Sequence, residues 1–275
     1  MRPSLIGGML FSLTQLPAWR RTVWRRWYDT LARRDTDGQL LFMNYGYHDD
    51  RSPPLALQPA DEPFRYAIQL YARALSGVDL AAKDVLEVGC GRGGGGSFVV
   101  RYLNPRSYTG VDISSEAIKR CKQDLSLPRA TWLEGSADKI PAATSSMDVV
   151  MNVESSHTYP SMPAFLQEVN RVLRPGGSFA FADVRRPDHL PELAKQMREA
   201  GFVCLEQASI LQAVLRSLNG ITEQREAQIT ASVPAWFRPA FRDFAGVRNT
   251  VVHEMLTTGE MQYVCWRLQK PVHAR

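Results

Sequence analysis

The stretch Val85-Leu-Glu-Val-Gly-Cys-Gly-Arg-Gly-Gly-Gly-Gly96 passes from an apolar run into a glycine-rich turn, and Gly110-Val-Asp-Ile-Ser114 follows. Gly89, Gly91 and Gly93 let the backbone turn tightly and approach a ligand with no Cβ in the way. Asp112 lies about twenty residues beyond the first glycines, at the tip of a second short strand. There it can accept hydrogen bonds from both hydroxyls of a ribose. These are the parts of a site for an adenosine-bearing cofactor. The glycines alone also fit a dinucleotide site, in which a pyrophosphate rests on a helix N-terminus. Glu87 discriminates: a carboxylate so close would repel a pyrophosphate and attract a sulfonium and an ammonium. The run from Gly93 to Gly96 holds more glycines than such a turn needs.

Positioning these groups takes strands alternating with helices, and the chain supplies them. Strands are expected over 84–88, 107–112, 130–134, 147–153, 178–183, 202–206 and 262–268, with helices over 64–75, 95–103, 162–173 and 190–200. The 147–153 segment is nearly all apolar, as a buried central strand is. Another helix opens at Ser114, with Glu116 in its first turn. Arg174-Pro-Gly-Gly177 reads as a closing turn. The predicted fold is α/β: a doubly wound, Rossmann-like seven-stranded sheet with an N-terminal helical lid. A helical insertion, at about 207–258, precedes the last strand. Residues 1–60 form a basic helical arm and lid, and 61–275 the main domain.

With 44% hydrophobic and 22% charged residues over 275, the chain can bury one sizeable soluble core. Its net charge of +5 is lopsided. Residues 1–34 carry seven arginines against one acid, Asp29, so the rest is near neutral and offers no broad basic surface for nucleic acid. Leu16, Trp19, Val23, Trp27 and Leu31 recur at three- and four-residue spacing, which predicts an amphipathic helix. It is read as a lid over the mouth of the domain; peripheral membrane contact through 1–34 and a homodimer contact are the alternatives. The apolar run over 5–13 is too short to span a bilayer. Cys90, Cys121, Cys204 and Cys265 are widely spaced with no CxxC, which argues for reduced thiols in a cytoplasmic protein and for no metal site.

The glutamate and glycines around Glu87 resemble motif I of class I S-adenosylmethionine-dependent methyltransferases. Asp112 matches that family's ribose-binding acid, Gly135-Ser-Ala-Asp-Lys-Ile-Pro141 its adenine segment, and Val172-Leu-Arg-Pro-Gly-Gly177 its turn before the fifth strand. The resemblance implies S-adenosylmethionine held by Glu87, Gly89, Cys90, Gly91, Asp112, Ile113, Ser136, Ala137 and Asn152. One position departs: Ser136 stands where the family commonly has an aspartate that accepts from the adenine amino group, with Asp138 an alternative acceptor. More narrowly, Asn44-Tyr-Gly-Tyr47, Asn152-Val-Glu-Ser-Ser-His157-Thr-Tyr-Pro160 and Phe181-Ala-Asp183 resemble small-molecule O-methyltransferases of the phthiotriol-lipid and natural-product sugar type. That resemblance folds Tyr45 and Tyr47 over the cofactor, where a tyrosine ring attracts a sulfonium. It makes His157 a general base and Asp183 its supporting carboxylate.

Methyl transfer from a sulfonium is an in-line displacement, so the protein orients the acceptor and excludes water. A hydroxyl acceptor loses its proton as the bond forms, and a histidine, with intrinsic pKa about 6.5, suits that task. Without the resemblance, His157 also fits a solvent-facing loop histidine, Asp183 a helix cap, and Tyr45 and Tyr47 a packed turn. Glu154 is the rival base. Trp236, Phe237, Phe241, Phe244 and Met255 in the insertion suggest a large apolar acceptor. O-methylation of a hydroxyl on a lipid or secondary metabolite is therefore expected, with carbon or nitrogen methylation of a small natural product as the alternative. An Asn/Asp-Pro-Pro-Tyr signature for an extruded base amine is absent; Asn152-Val-Glu-Ser155 stands there.

Overall fold

A computed structural model describes residues 41–51 and 54–272. The arm helix expected over 16–34 lies outside the described residues. A 3-10 turn (Pro59–Phe64) leads into α1 (Arg65–Ala74), followed by β1 (Asp84–Val88), α2 (Gly94–Tyr102), β2 (Ser107–Asp112), α3 (Ser115–Asp124) and β3 (Ala130–Glu134). Next come β4 (Met147–Val153), α4 (Met162–Val172), β5 (Leu173–Arg185), α5 (Leu190–Glu199) and β6 (Val203–Ser209). Four helices, α6 (Leu211–Gly220), α7 (Thr222–Ser232), α8 (Arg238–Phe244) and α9 (Val251–Thr258), form a cap before β7 (Gln262–Gln269).

The seven strands make one sheet in the order β3-β2-β1-β4-β5-β7-β6. The first five run parallel, and β7 is antiparallel to both neighbours. Side chains alternate between the faces, so adjacent residues build separate cores. Val85, Val149 and Met151 join the core under α1 and α2; Leu86, Val88 and Val150 join the one under α4. Order reverses between β1 and β4, and the crevice beyond their C-terminal ends is where such sheets bind ligands.

Two boundaries differ from expectation. The Arg174–Gly177 turn belongs to β5, because Leu173 already pairs with Met147 and Gly176 N–H donates to Lys270 O at 2.8 Å. β6 runs on to Ser209, held by its register with Val264, so the insertion begins after 209 rather than at 207. An edge strand paired on one side, with Val203 and Leu205 exposed, carries little apolar signal of its length. In the cap, Phe241 packs with Ile229, Val233 and Val247 in a small core that Phe237, Phe244 and Met43 adjoin, while Trp236 is 69% exposed. Among the described residues no helix is long and apolar enough to cross a membrane.

Candidate active site

The glycine turn after β1 sits directly beside the end of β2. Gly89, Gly91 and Gly93 all have positive φ, a conformation that a Cβ disfavours. Gly91 N–H donates to Asp112 Oδ2 at 2.9 Å, and Ser114 N–H to Oδ1 at 2.9 Å. Asp112 thus ties the turn to the start of α3, while a carboxylate has capacity for about four hydrogen bonds. Among the described residues a Cβ on Gly91 would meet only Met43 Cε, at 3.1 Å, so the turn keeps a cradle for a ligand. Cys90 turns its thiol inward toward Cys121 and is buried, leaving its backbone to the cradle. Ile113 is half-buried next to Asp112.

Glu87 stands on β1 two residues before the glycine turn. Its carboxylate is fully buried and accepts from Tyr71 Oη at 2.9 Å and from Tyr108 Oη. Burial pushes it up to about 7, against the two tyrosine hydrogen bonds. Held by Tyr71 and Tyr108, Glu87 braces the glycine turn from behind.

Asn152, near the end of β4, is also fully buried. Its Nδ2 shares its two N–H groups among Val88 O at 2.8 Å, Ser155 Oγ at 2.8 Å and Tyr159 Oη at 3.0 Å, while among the described residues Oδ1 has no partner. Those bonds fix the last carbonyl of β1 against the loop after β4. Ser136 forms a small bridge with Lys139, and Ala137 packs half-buried against the core under α4. The turn, Asp112, and the Ser136–Ala137 loop lie past the ends of adjacent strands, as an adenosine-bearing cofactor requires.

Past β4, His157 occupies a single 3-10 turn (Ser156–Thr158) facing Asp183 of β5. The ring Nδ1 is 2.7 Å from Asp183 Oδ1, and His157 N–H donates to Oδ2 at 2.9 Å. Ser156 Oγ donates to Oδ2 at 2.6 Å, and Arg185 Nη1 lies 3.0 Å from it. Burial raises the Asp183 pKa, but Arg185, His157 and Ser156 outweigh it and hold this carboxyl well below the usual range. An ionised Asp183 accepts from Nδ1–H, which puts the ring's lone pair on Nε2. The His157 side chain is 26% exposed and Asp183 entirely enclosed.

Glu154 has a left-handed backbone, φ 50°, unusual outside glycine. Its Oε2 accepts Tyr45 N–H at 2.9 Å and Tyr263 Oη at 2.7 Å, joining the N-terminal segment to β7. Burial pushes this carboxyl up to about 8, and the nearby charge of Asp183 adds to the rise. Tyr45 is buried here, its hydroxyl donating to Phe244 O at 3.1 Å. Tyr47 is not brought to the same place: its hydroxyl donates to Asp49 at 3.2 Å and its N–H to Tyr66 O. Gly46, at φ 77°, breaks the strand-like alternation that would have kept the two tyrosines together.

Sequence reasoning missed Arg185, Tyr71, Tyr108, Tyr263 and Arg225. Only Arg185 had a local signal, standing two residues after Asp183 on one strand face. Arg225, from α7, donates to Asn44 O at 2.6 Å and stands over the Tyr45 ring.

The parallel run of β1, β4 and β5 brings the glycine turn and the His157–Asp183 pair to the C-terminal ends of the central strands, which is the plan of the Rossmann-like methyltransferases. Comparison with known proteins agrees. A methyltransferase domain model matches residues 86–181. The phthiotriol/phenolphthiotriol dimycocerosates methyltransferase of Mycobacterium tuberculosis is 40% identical over 243 residues, covering 88% of this chain and 90% of that protein. The fatty-acid O-methyltransferase of Mycolicibacterium smegmatis is 33% identical over 267 residues, covering 95% and 97%. The crystal structure of the cyclase SpnF superposes with a TM-score of 0.69 at 20% identity, over 90% of this chain and 95% of that one, a likeness of fold. The chain belongs to the S-adenosylmethionine-dependent methyltransferase family.

Proposed function

We propose that the protein methylates a hydroxyl of a lipid-type acceptor, with His157 as general base oriented by Asp183. The observation that carries this reading is the 2.7 Å contact between His157 Nδ1 and Asp183 Oδ1 at the ligand-binding edge of the sheet. S-adenosylmethionine, when bound, supplies an electrophilic methyl group. Asp112 and the glycine turn would hold its ribose, with the Ser136–Ala137 loop beside the adenine. His157 Nε2 would take the acceptor proton as the new bond forms, and Asp183 would stabilise the resulting imidazolium. Glu154 is the less available base, because a carboxyl raised to about 8 is largely protonated near neutrality and already serves Tyr45 and Tyr263. Its proposed role is to hold the Tyr45 segment. The lipid class of the acceptor is supported by the two relatives, one named for phthiotriols and one for fatty acids.

The test is His157→Ala, assayed on a long-chain secondary alcohol and on a fatty acid, with S-adenosylhomocysteine affinity measured by calorimetry. Turnover of the alcohol should fall by about 10²–10⁴-fold with cofactor affinity unchanged. A carboxylate is already deprotonated, so methylation of the acid should be indifferent to the change, as should carbon or nitrogen methylation. Undiminished alcohol turnover would reject the base assignment.

A further inference from the structure

We infer that Arg185 sets the protonation balance of the His157–Asp183 pair and is a positioning residue for proton transfer. Its catalytic consequence rests on His157 being the base; the electrostatic relationship stands on geometry. Period-two alternation along β5 puts Arg185 on the same face as Asp183. Guanidinium and imidazole sit on opposite oxygens of one carboxylate: Nη1 at 3.0 Å from Oδ2, and Nδ1 at 2.7 Å from Oδ1. Arg185 Nη2 also donates to Ser156 Oγ at 2.5 Å, closing a ring with the Ser156–Asp183 bond. Nη1 donates to Val184 O at 2.7 Å, and Cζ stands 5.5 Å from the Phe181 ring centroid. Only 11% of the Arg185 side chain is exposed, so its charge is little screened.

A buried carboxylate whose sole cation was the imidazolium would trap the proton on the ring. His157 would then be a poor base near neutral pH. Arg185 is permanently charged. It keeps Asp183 ionised in both states of the histidine, and it opposes a second positive charge on the ring. Among the described residues, the other titratable groups that feel Asp183 are Glu154 beyond β4, Tyr159 beyond the 3-10 turn and Tyr263 on β7. Burial shifts all three toward their neutral forms, so none replaces a fixed charge. Arg225 of α7 acts on Glu154 instead.

Arg185→Met, Arg185→Gln and Arg185→Lys decide the matter in the full chain with S-adenosylhomocysteine bound. The His157 ring is titrated by NMR, its signal assigned by its loss in His157→Gln, and kcat on the long-chain alcohol is profiled against pH. In the Met and Gln variants the ring midpoint should rise by about one unit, the lower end for removal of a neighbouring charge. The acidic limb of kcat should move with it, a loss that approaches about tenfold at pH values below both midpoints and closes above them. Lys, which keeps the charge, should restore the midpoint. A ring midpoint unmoved in folded Met or Gln variants would overturn the inference, as would a loss equal at every pH. Should the Met variant not fold, Gln against Lys carries the same comparison. The ring titration decides Arg185's role even if His157→Ala leaves the rate intact.

Discussion

The bare Cα of Gly95 lies against the Glu87 carboxylate: a Cβ there would stand 2.5 Å from Oε2 and 2.6 Å from Oε1. Glu87 has no room to retreat, since Tyr71 and Tyr108 hold it. The neighbouring glycines are equally confined. A Cβ on Gly94 would strike Phe42 and the Leu41 carbonyl, and one on Gly96 would strike Trp132 and Tyr108. Gly93 serves the turn; Gly95 and Gly96 let α2 settle against the sheet, and Gly94 lets the Leu41–Phe42 segment lie against α2. Gly95→Ala should therefore destabilise the protein by roughly 1–3 kcal/mol, the usual cost of overpacking, read as a lower melting temperature. Gly220→Ala is the control. Its Cβ would meet nothing closer than Tyr66 at 3.4 Å, so stability should hold or rise by about 0.4–1 kcal/mol.

Asp112→Asn keeps an amide oxygen for Gly91 N–H, so the glycine turn should stay in place, while its Nδ2 replaces the acceptor of Ser114 N–H and loosens the start of α3. It removes the negative charge offered to a ribose. Hydrogen bonds to a charged acceptor contribute about 1.5–3 kcal/mol, so affinity for S-adenosylhomocysteine should drop roughly ten- to a hundredfold. Calorimetric titration measures this, and an unchanged Kd would remove Asp112 from the cofactor site.

Asp183→Asn should behave unlike His157→Ala. Both should lose alcohol turnover by about 10²–10⁴-fold. The Asp183 variant also strands Arg185 without its counter-charge, and breaking a buried pair costs about 3–5 kcal/mol. Urea denaturation should show that loss for Asp183→Asn and much less for His157→Ala, whose Asp183–Arg185 pair survives.

Glu154 makes stability fall as pH rises. Burial raises its folded pKa to about 8, whereas in the unfolded chain a glutamate titrates near 4.3. Between those values the folded state binds the extra proton, so unfolding becomes easier with each step upward in pH. Glu87, raised by burial to about 7, acts in the same direction over a narrower window. Glu154→Gln keeps an oxygen for Tyr45 and Tyr263 but has no proton to lose. Relative to the parent, its melting temperature should gain steadily from pH 5 to pH 8; parallel curves would mean that Glu154 is not held protonated by the fold.

Local sequence determined the strands that build the site. The ranges 84–88, 107–112, 130–134 and 147–153 coincide with β1 to β4, because an apolar run bounded by glycine, proline or a cap signal is a short-range property. The places of Asp112, His157 and Asp183 at the ends of such runs were legible for the same reason, whereas pairing His157 with Asp183 came from the family resemblance. Tertiary structure alone decided what those groups touch. The Glu154 bond to Tyr45 spans 109 residues of chain, and the Tyr71–Glu87–Tyr108 cluster joins α1, β1 and β2. No periodicity encodes such meetings; they follow from strand order and from which face each side chain takes. That is why the packing of Glu87 between Tyr71 and Tyr108, and the cause of the glycine excess beside it, lie in side chains contributed by other parts of the chain.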